Sequence, residues 1–152
     1  MQLDLYQEEC NRTANEQTAV LAEVKQRIAS GLGLGLGLSL LQQGGALHAL
    51  QVLVENAIGK SKHWLKAAPT AVPVSAYDSF ASLQRMGVLS ADDLSQWNAA
   101  IDSRNCIVHD NLNVYMQWVC GLVQQDNHLF IADFLRRPIE TEKSPLLPRR
   151  AA

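Results

Sequence analysis

The 152-residue chain has few cysteines, few prolines, little net charge and no long apolar run. Each shortage excludes something. Three cysteines (Cys10, Cys106, Cys120) make an odd set without C-x-x-C spacing. They read as reduced thiols of a cytoplasmic chain, not as a disulfide framework. The five prolines fall in two places, Pro69 with Pro73 and Pro138 with Pro145 and Pro148. The rest of the chain is free to be helical. A net charge of −2 and an isoelectric point near 6.0 argue against a generally nucleic-acid-coating surface and leave at most a local patch. No apolar run approaches the roughly 18 residues that a membrane span needs. Asn11-Arg12-Thr13 has the form of a glycosylation site, but it is expected to stay bare, because no secretory leader precedes it.

What is present is an ordinary globular mix, 47% hydrophobic and 18% charged, at a length that suits one domain. Apolar residues recur at steps of three and four, the helical period. Over 3–30 the stripe is Leu3, Tyr6, Cys10, Ala14, Leu21, Val24 and Ile28, interrupted by Gln17. The repeat Gly31-Leu32-Gly33-Leu34-Gly35-Leu36-Gly37-Leu38 follows a helix rather than a strand. Its glycines therefore read as a cap and pliable connection, not as a dinucleotide-binding loop. A second helix covers 39–66, with Leu40, Leu47, Leu50, Val54, Ile58 and Leu65 inward and a basic end at Lys60, Lys62 and Lys66. That end is the strongest sequence signal for a local RNA-attracting patch, although such runs are ordinarily solvated faces.

Ser75 caps a short helix, 76–86, that buries Tyr77, Phe80 and Leu83 and stops at Gly87. Ser90 with Asp93 resembles a capping box opening a helix over 91–109, with Leu94, Trp97, Ile101 and Val108 as its core face. A last helix spans 115–136, bent near Gly121 and the polar run 124–127. The expected fold is all-α, an up-and-down bundle of four main helices and one short one over residues 1–137. A flexible tail follows over 138–152. His48 and His63 have no further ligands at coordinating spacing, so neither a metal site nor a cofactor is expected.

The densest chemistry lies in Asp102-Ser103-Arg104-Asn105-Cys106-Ile107-Val108-His109-Asp110-Asn111. Arginine carries a permanent charge on a planar fork that suits phosphate, and histidine exchanges protons near neutral pH. Together they suit attack on a phosphodiester, with an RNA 2′-hydroxyl as a nucleophile that needs no metal. Arg104 and His109 are five residues apart, about 140° around a straight helix of about 3.6 residues per turn. One ideal helix cannot aim both at one point. Either the helix ends near His109, or two copies of the chain share a cleft. Asn105 lies one turn before His109 and can orient the imidazole or bind substrate. The plainer reading is a helix-end Arg and His making surface contacts, since R-x4-H is short enough to arise by chance. Arg104 falls on or beside the core stripe, where an arginine is costly unless paired or facing a cleft.

Arg104-Asn105-x-x-Val108-His109-Asp110 resembles the R-x4-H signature of the HEPN-superfamily RNases, most nearly their HepT-like branch. His48-Ala49-Leu50-Gln51-Val52 with Glu55 is similar to the start of that family's second helix. Ser75-Ala76-Tyr77-Asp78-Ser79-Phe80, followed by Met86-Gly87-Val88-Leu89, is similar to its next element. The resemblance covers about residues 40–136. It implies the toxin of a pair whose antitoxin is a minimal nucleotidyltransferase. That toxin would be a homodimeric, metal-independent endoribonuclease with Arg104 and His109 catalytic and Asn105 in support. The family ordinarily reads R-x4-H-x-Y, and the antitoxin modifies that tyrosine with AMP. Here the position holds Asn111, whose amide cannot accept AMP as a phenol does, and Tyr115 is a different place. The departure keeps open a second expectation, a HEPN scaffold without nuclease activity that binds a nucleotidyltransferase.

Overall fold

The computed structural model describes residues 2–30, 38–106 and 112–140; of Gln2, Cys106 and residues 112–115 it describes the backbone alone. The helices are α1 (Gln2–Ser30), α2 (Leu40–Ala67), α3 (Ala76–Arg85), α4 (Ala91–Cys106), α5 (Leu112–Gln124) and α6 (Leu129–Arg136). No strand occurs among the described residues. The all-α expectation holds, but there are six helices among these residues. The repeat at 31–37, residues 107–111 with Val108 and His109, and the tail from 141 lie outside them.

Helix ends follow local chemistry. Ser39 opens α2 with a reciprocal capping box: its hydroxyl accepts from Gln42 N at 3.1 Å, and Ser39 N donates to Gln42 Oε1 at 2.9 Å. Ser90 and Asp93 make the same exchange before α4, as expected. At the end of α3, Val88 N bonds Leu83 O and Gly87 N bonds Gln84 O, with Gly87 left-handed at φ 86°. This is a Schellman closure, and glycine suits it.

The same closure ends α5. Asn127 N bonds Leu122 O at 2.9 Å and Asp126 N bonds Val123 O at 3.1 Å, with Asp126 at φ 59°. The stretch read as one helix over 115–136 is therefore two. The break comes from a left-handed aspartate, a residue that tolerates this conformation better than most.

The helix α2 packs against all five others. Its buried residues, among them Ala49, Leu50, Leu53, Ala57, Trp64 and Leu65, cover more than one stripe, as a central helix requires. Leu40, expected inward, is instead 83% exposed in the first turn of α2. The helix α1 lies against α2, α5 and α6 and buries Cys10, Ala14, Leu21, Val24 and Ile28. An aromatic cluster joins four helices: Phe80 stacks on Trp97 at 4.3 Å, Phe134 meets both, and Trp64 stacks on Phe134 at 5.8 Å. Each such ring contributes about 1.5–3 kcal/mol on burial.

Lys60 corrects the expected basic patch. It is fully buried, and its ammonium donates to Gln7 Oε1 at 3.0 Å and to the carbonyl oxygens of Phe134, Leu135 and Arg137. Burial pulls it down to about 8, which leaves it mostly charged at neutral pH. It caps the negative end of α6 instead of facing solvent. Lys62 is committed to Val74 O at 2.8 Å, and Lys66 alone of the three is exposed without such a bond.

Candidate functional site

Arg104 sits in the last turn of α4 with its side chain 29% exposed. Its partner is Glu55, from the middle of α2: Nη1 and the carboxylate are 3.1 Å apart. Asn105 holds the other side, its Oδ1 accepting from Arg104 Nε at 3.2 Å and Nη2 at 3.0 Å. A guanidinium has five N–H donors. Three are engaged among the described residues, which leaves two for an incoming anion. The cost of carrying an arginine beside the core stripe is thus met by an ion pair from a different helix. Asp102, on the same helix, takes no part in that pairing.

The helix α3 closes the cluster. The Tyr77 hydroxyl donates to Asp102 Oδ1 at 2.5 Å and accepts from Asn105 Nδ2 at 3.3 Å. The hydrogen bond to Asp102 raises the Tyr77 phenol above its ordinary value, so its proton stays on at neutral pH. Tyr77 was expected in the core beside Phe80 and Leu83, yet it is 37% exposed. It stands in the first turn of α3, where the ring overhangs α4 and the polar tip finds partners.

Glu55, Tyr77, Asp102, Arg104 and Asn105 therefore form one surface network drawn from three helices. Of the expected site residues, the structure brings Arg104 and Asn105 together; His109 lies outside the described residues. In the sequence, Glu55 and Tyr77 stand out only as family-like residues, with no mark of a part in the site. Glu55 could have been found as an acid on a helix whose neighbours Val54 and Ala57 are core, since such a charge sits close to buried partners. A cavity of about 280 Å³ is lined in part by Val54, Ala100, Ser103, Leu122 and Phe130, and no residue of the network lines it. Among the described residues no group of His, Cys, Asp or Glu could hold a metal ion.

The sequence profile described as "Ribonuclease HepT-like" matches residues 36–137, which include the whole network. The chain belongs to the HepT-like ribonuclease family. No curated protein sequence matches it. This HepT-like chain is similar in fold to a chain of a structure described as "Crystal structure of the toxin-antitoxin with AMP-PNP". That likeness has a TM-score of 0.60 at 20% identity and covers 81% of this chain and 97% of the other. No helix among the described residues of the HepT-like chain is long and apolar enough to cross a membrane.

Proposed function

We propose that this HepT-like protein is the toxin of a HEPN/nucleotidyltransferase toxin-antitoxin pair, a cytoplasmic, metal-independent endoribonuclease whose Arg-x4-His motif works at a dimer cleft. The observation that carries the reading is Arg104. It is a half-buried guanidinium, fixed on two sides and with two donors unspent among the described residues, within the region that the family profile matches. Such a group binds a phosphodiester and stabilises the charge that develops as phosphorus becomes five-coordinate. The RNA 2′-oxygen attacks phosphorus, and the bond to the 5′-oxygen breaks. His109 takes the proton from the first oxygen or returns one to the second. Asn105 supports the reaction by holding Arg104.

The homodimer belongs to the same proposal. Arg104 and His109 diverge by about 140° on a straight helix of about 3.6 residues per turn, so a second copy would bring the missing group. The cognate minimal nucleotidyltransferase would act as antitoxin. The unit 1–137 would do this work, with 138–152 as a tail.

RNA cleavage by wild type, Arg104→Ala and His109→Ala, with and without EDTA, tests the reading. Wild type should cut equally with EDTA, and each variant should lose at least about 100-fold, the usual worth of a proton-transfer or charge-stabilising group. A His109→Ala protein as fast as wild type sinks the assignment. One feature favours a second reading, a nuclease-inactive scaffold for a nucleotidyltransferase: Asn111 stands where the family's modified tyrosine is expected. Induced expression separates the two, because a toxin arrests growth and is silenced by Arg104→Ala, whereas a scaffold is harmless in both forms.

A further inference from the structure

An asparagine amide has an acceptor end and a donor end of nearly the same shape. Which end faces Arg104 is decided by what touches the other. The Asp102 carboxylate is acceptor-only, so the Tyr77 hydroxyl, 2.5 Å away, must spend its single proton there. The phenol oxygen can then only accept from Asn105, and Nδ2 turns to it at 3.3 Å. Oδ1 is thereby directed at the guanidinium, where it accepts from Nε and Nη2. The reverse rotamer would set the amide N–H against the guanidinium N–H on one side and Oδ1 against the phenol oxygen on the other.

We infer that Tyr77 is a positioning residue of this site, and that the directed chain Asp102–Tyr77–Asn105 fixes the orientation in which Arg104 meets the scissile phosphate. The inference rests on the nuclease reading for its consequence, but the geometry it asserts can be measured without RNA. Tyr77 touches Asn105 and Asp102, not the reacting atoms, so it acts through them. The ring is exposed enough that removing one oxygen leaves the core intact. Its raised phenol value agrees with a hydroxyl that remains a donor.

Asn105→Asp supplies the internal control. A carboxylate presents an acceptor in either rotamer and needs no third group to orient it. Tyr77→Phe should therefore matter only where position 105 is Asn. In the wild-type background it should lower kcat about tenfold with KM within about twofold, the pattern of a lost transition-state alignment. In the Asn105→Asp background it should change kcat by less than about twofold. A second readout is the Arg104 Nε–H resonance in a ¹⁵N spectrum of the RNA-free protein. It should shift and exchange faster in Tyr77→Phe, and should not respond to Tyr77→Phe when Asn105→Asp is present.

An Nε–H resonance untouched by Tyr77→Phe in the wild-type background overturns the inference, whatever the RNA assay gives. So does an equal kcat loss in both backgrounds, since Tyr77 would then act independently of Asn105. If instead Arg104→Ala cuts RNA like wild type while the resonance behaves as expected, the positioning stands and the nuclease reading fails.

Discussion

The Arg104 guanidinium meets the Glu55 carboxylate at 3.1 Å, joining the last turn of α4 to the middle of α2. Glu55 is 55% exposed at its side chain, so the pair is screened by water and contributes about 0–1 kcal/mol to stability. Its larger consequence is electrostatic. A carboxylate at the anion-binding edge opposes a phosphate. Glu55→Gln keeps an acceptor there and removes the charge. The RNA KM should fall about two- to fivefold, a change of about 1 kcal/mol or less at a surface site. Thermal unfolding of the variant should match wild type. Steady-state kinetics at low and moderate salt check this, and an unchanged KM at both would count against Glu55 competing with substrate.

Lys60→Met should destabilise the fold by about 2–4 kcal/mol in urea titrations. The methionine fills the volume but leaves the Arg137 carbonyl and Gln7 Oε1 without their donor and takes one of two donors from the Phe134 and Leu135 carbonyls. The RNA-binding affinity of the folded fraction should not change, because the ammonium is enclosed.

Acid should weaken the fold through His128. The ring is 3% exposed, and its Nδ1 has no hydrogen-bond partner among the described residues. Burial holds the imidazole below its ordinary value of 6.5. The unfolded chain therefore takes up a proton before the folded chain does. The contribution is complete above about 6.5 and is lost as pH falls from there through the lower folded value. Urea midpoints at pH 7.5, 6.5 and 5.5 should fall more for wild type than for His128→Leu. Asp126, held low chiefly by its hydrogen bond to Lys25, acts in a separate window that opens only below 3.8. Parallel curves for the two proteins between 7.5 and 5.5 would rule out this role for His128.

Gly87→Ala should cost about 1–2 kcal/mol, the penalty of a left-handed L-residue. A Cβ there meets nothing within 4 Å, so the loss is one of backbone conformation rather than clash. Gly87→Asn should recover part of it, as asparagine tolerates this region. Urea titration of both variants checks the order.

Much of the helical layout was readable in one dimension, because caps and periodicity are local. Ser75, Gly87 and the Ser90–Asp93 pair bound their helices as expected, and the Ser39-x-x-Gln42 box is an equally local pattern. The break between α5 and α6 was half-visible: the polar run at 124–127 marked a bend. The left-handed turn at Asp126 depends on the chain reversing to pack α6 against α1 and α2.

By itself the sequence determined that the chain is helical, where most of its helices start and stop, and which arginine and asparagine stand together near the end of α4. Only the tertiary structure decided that Lys60 is buried and not part of a basic patch, that Tyr77 leaves the core for the site, and that Glu55 is the acid facing Arg104. The physical reason is one of range. Capping and period act over three or four residues, whereas the partner of a long charged or phenolic side chain is set by which helices pack side by side, tens of residues apart in the chain.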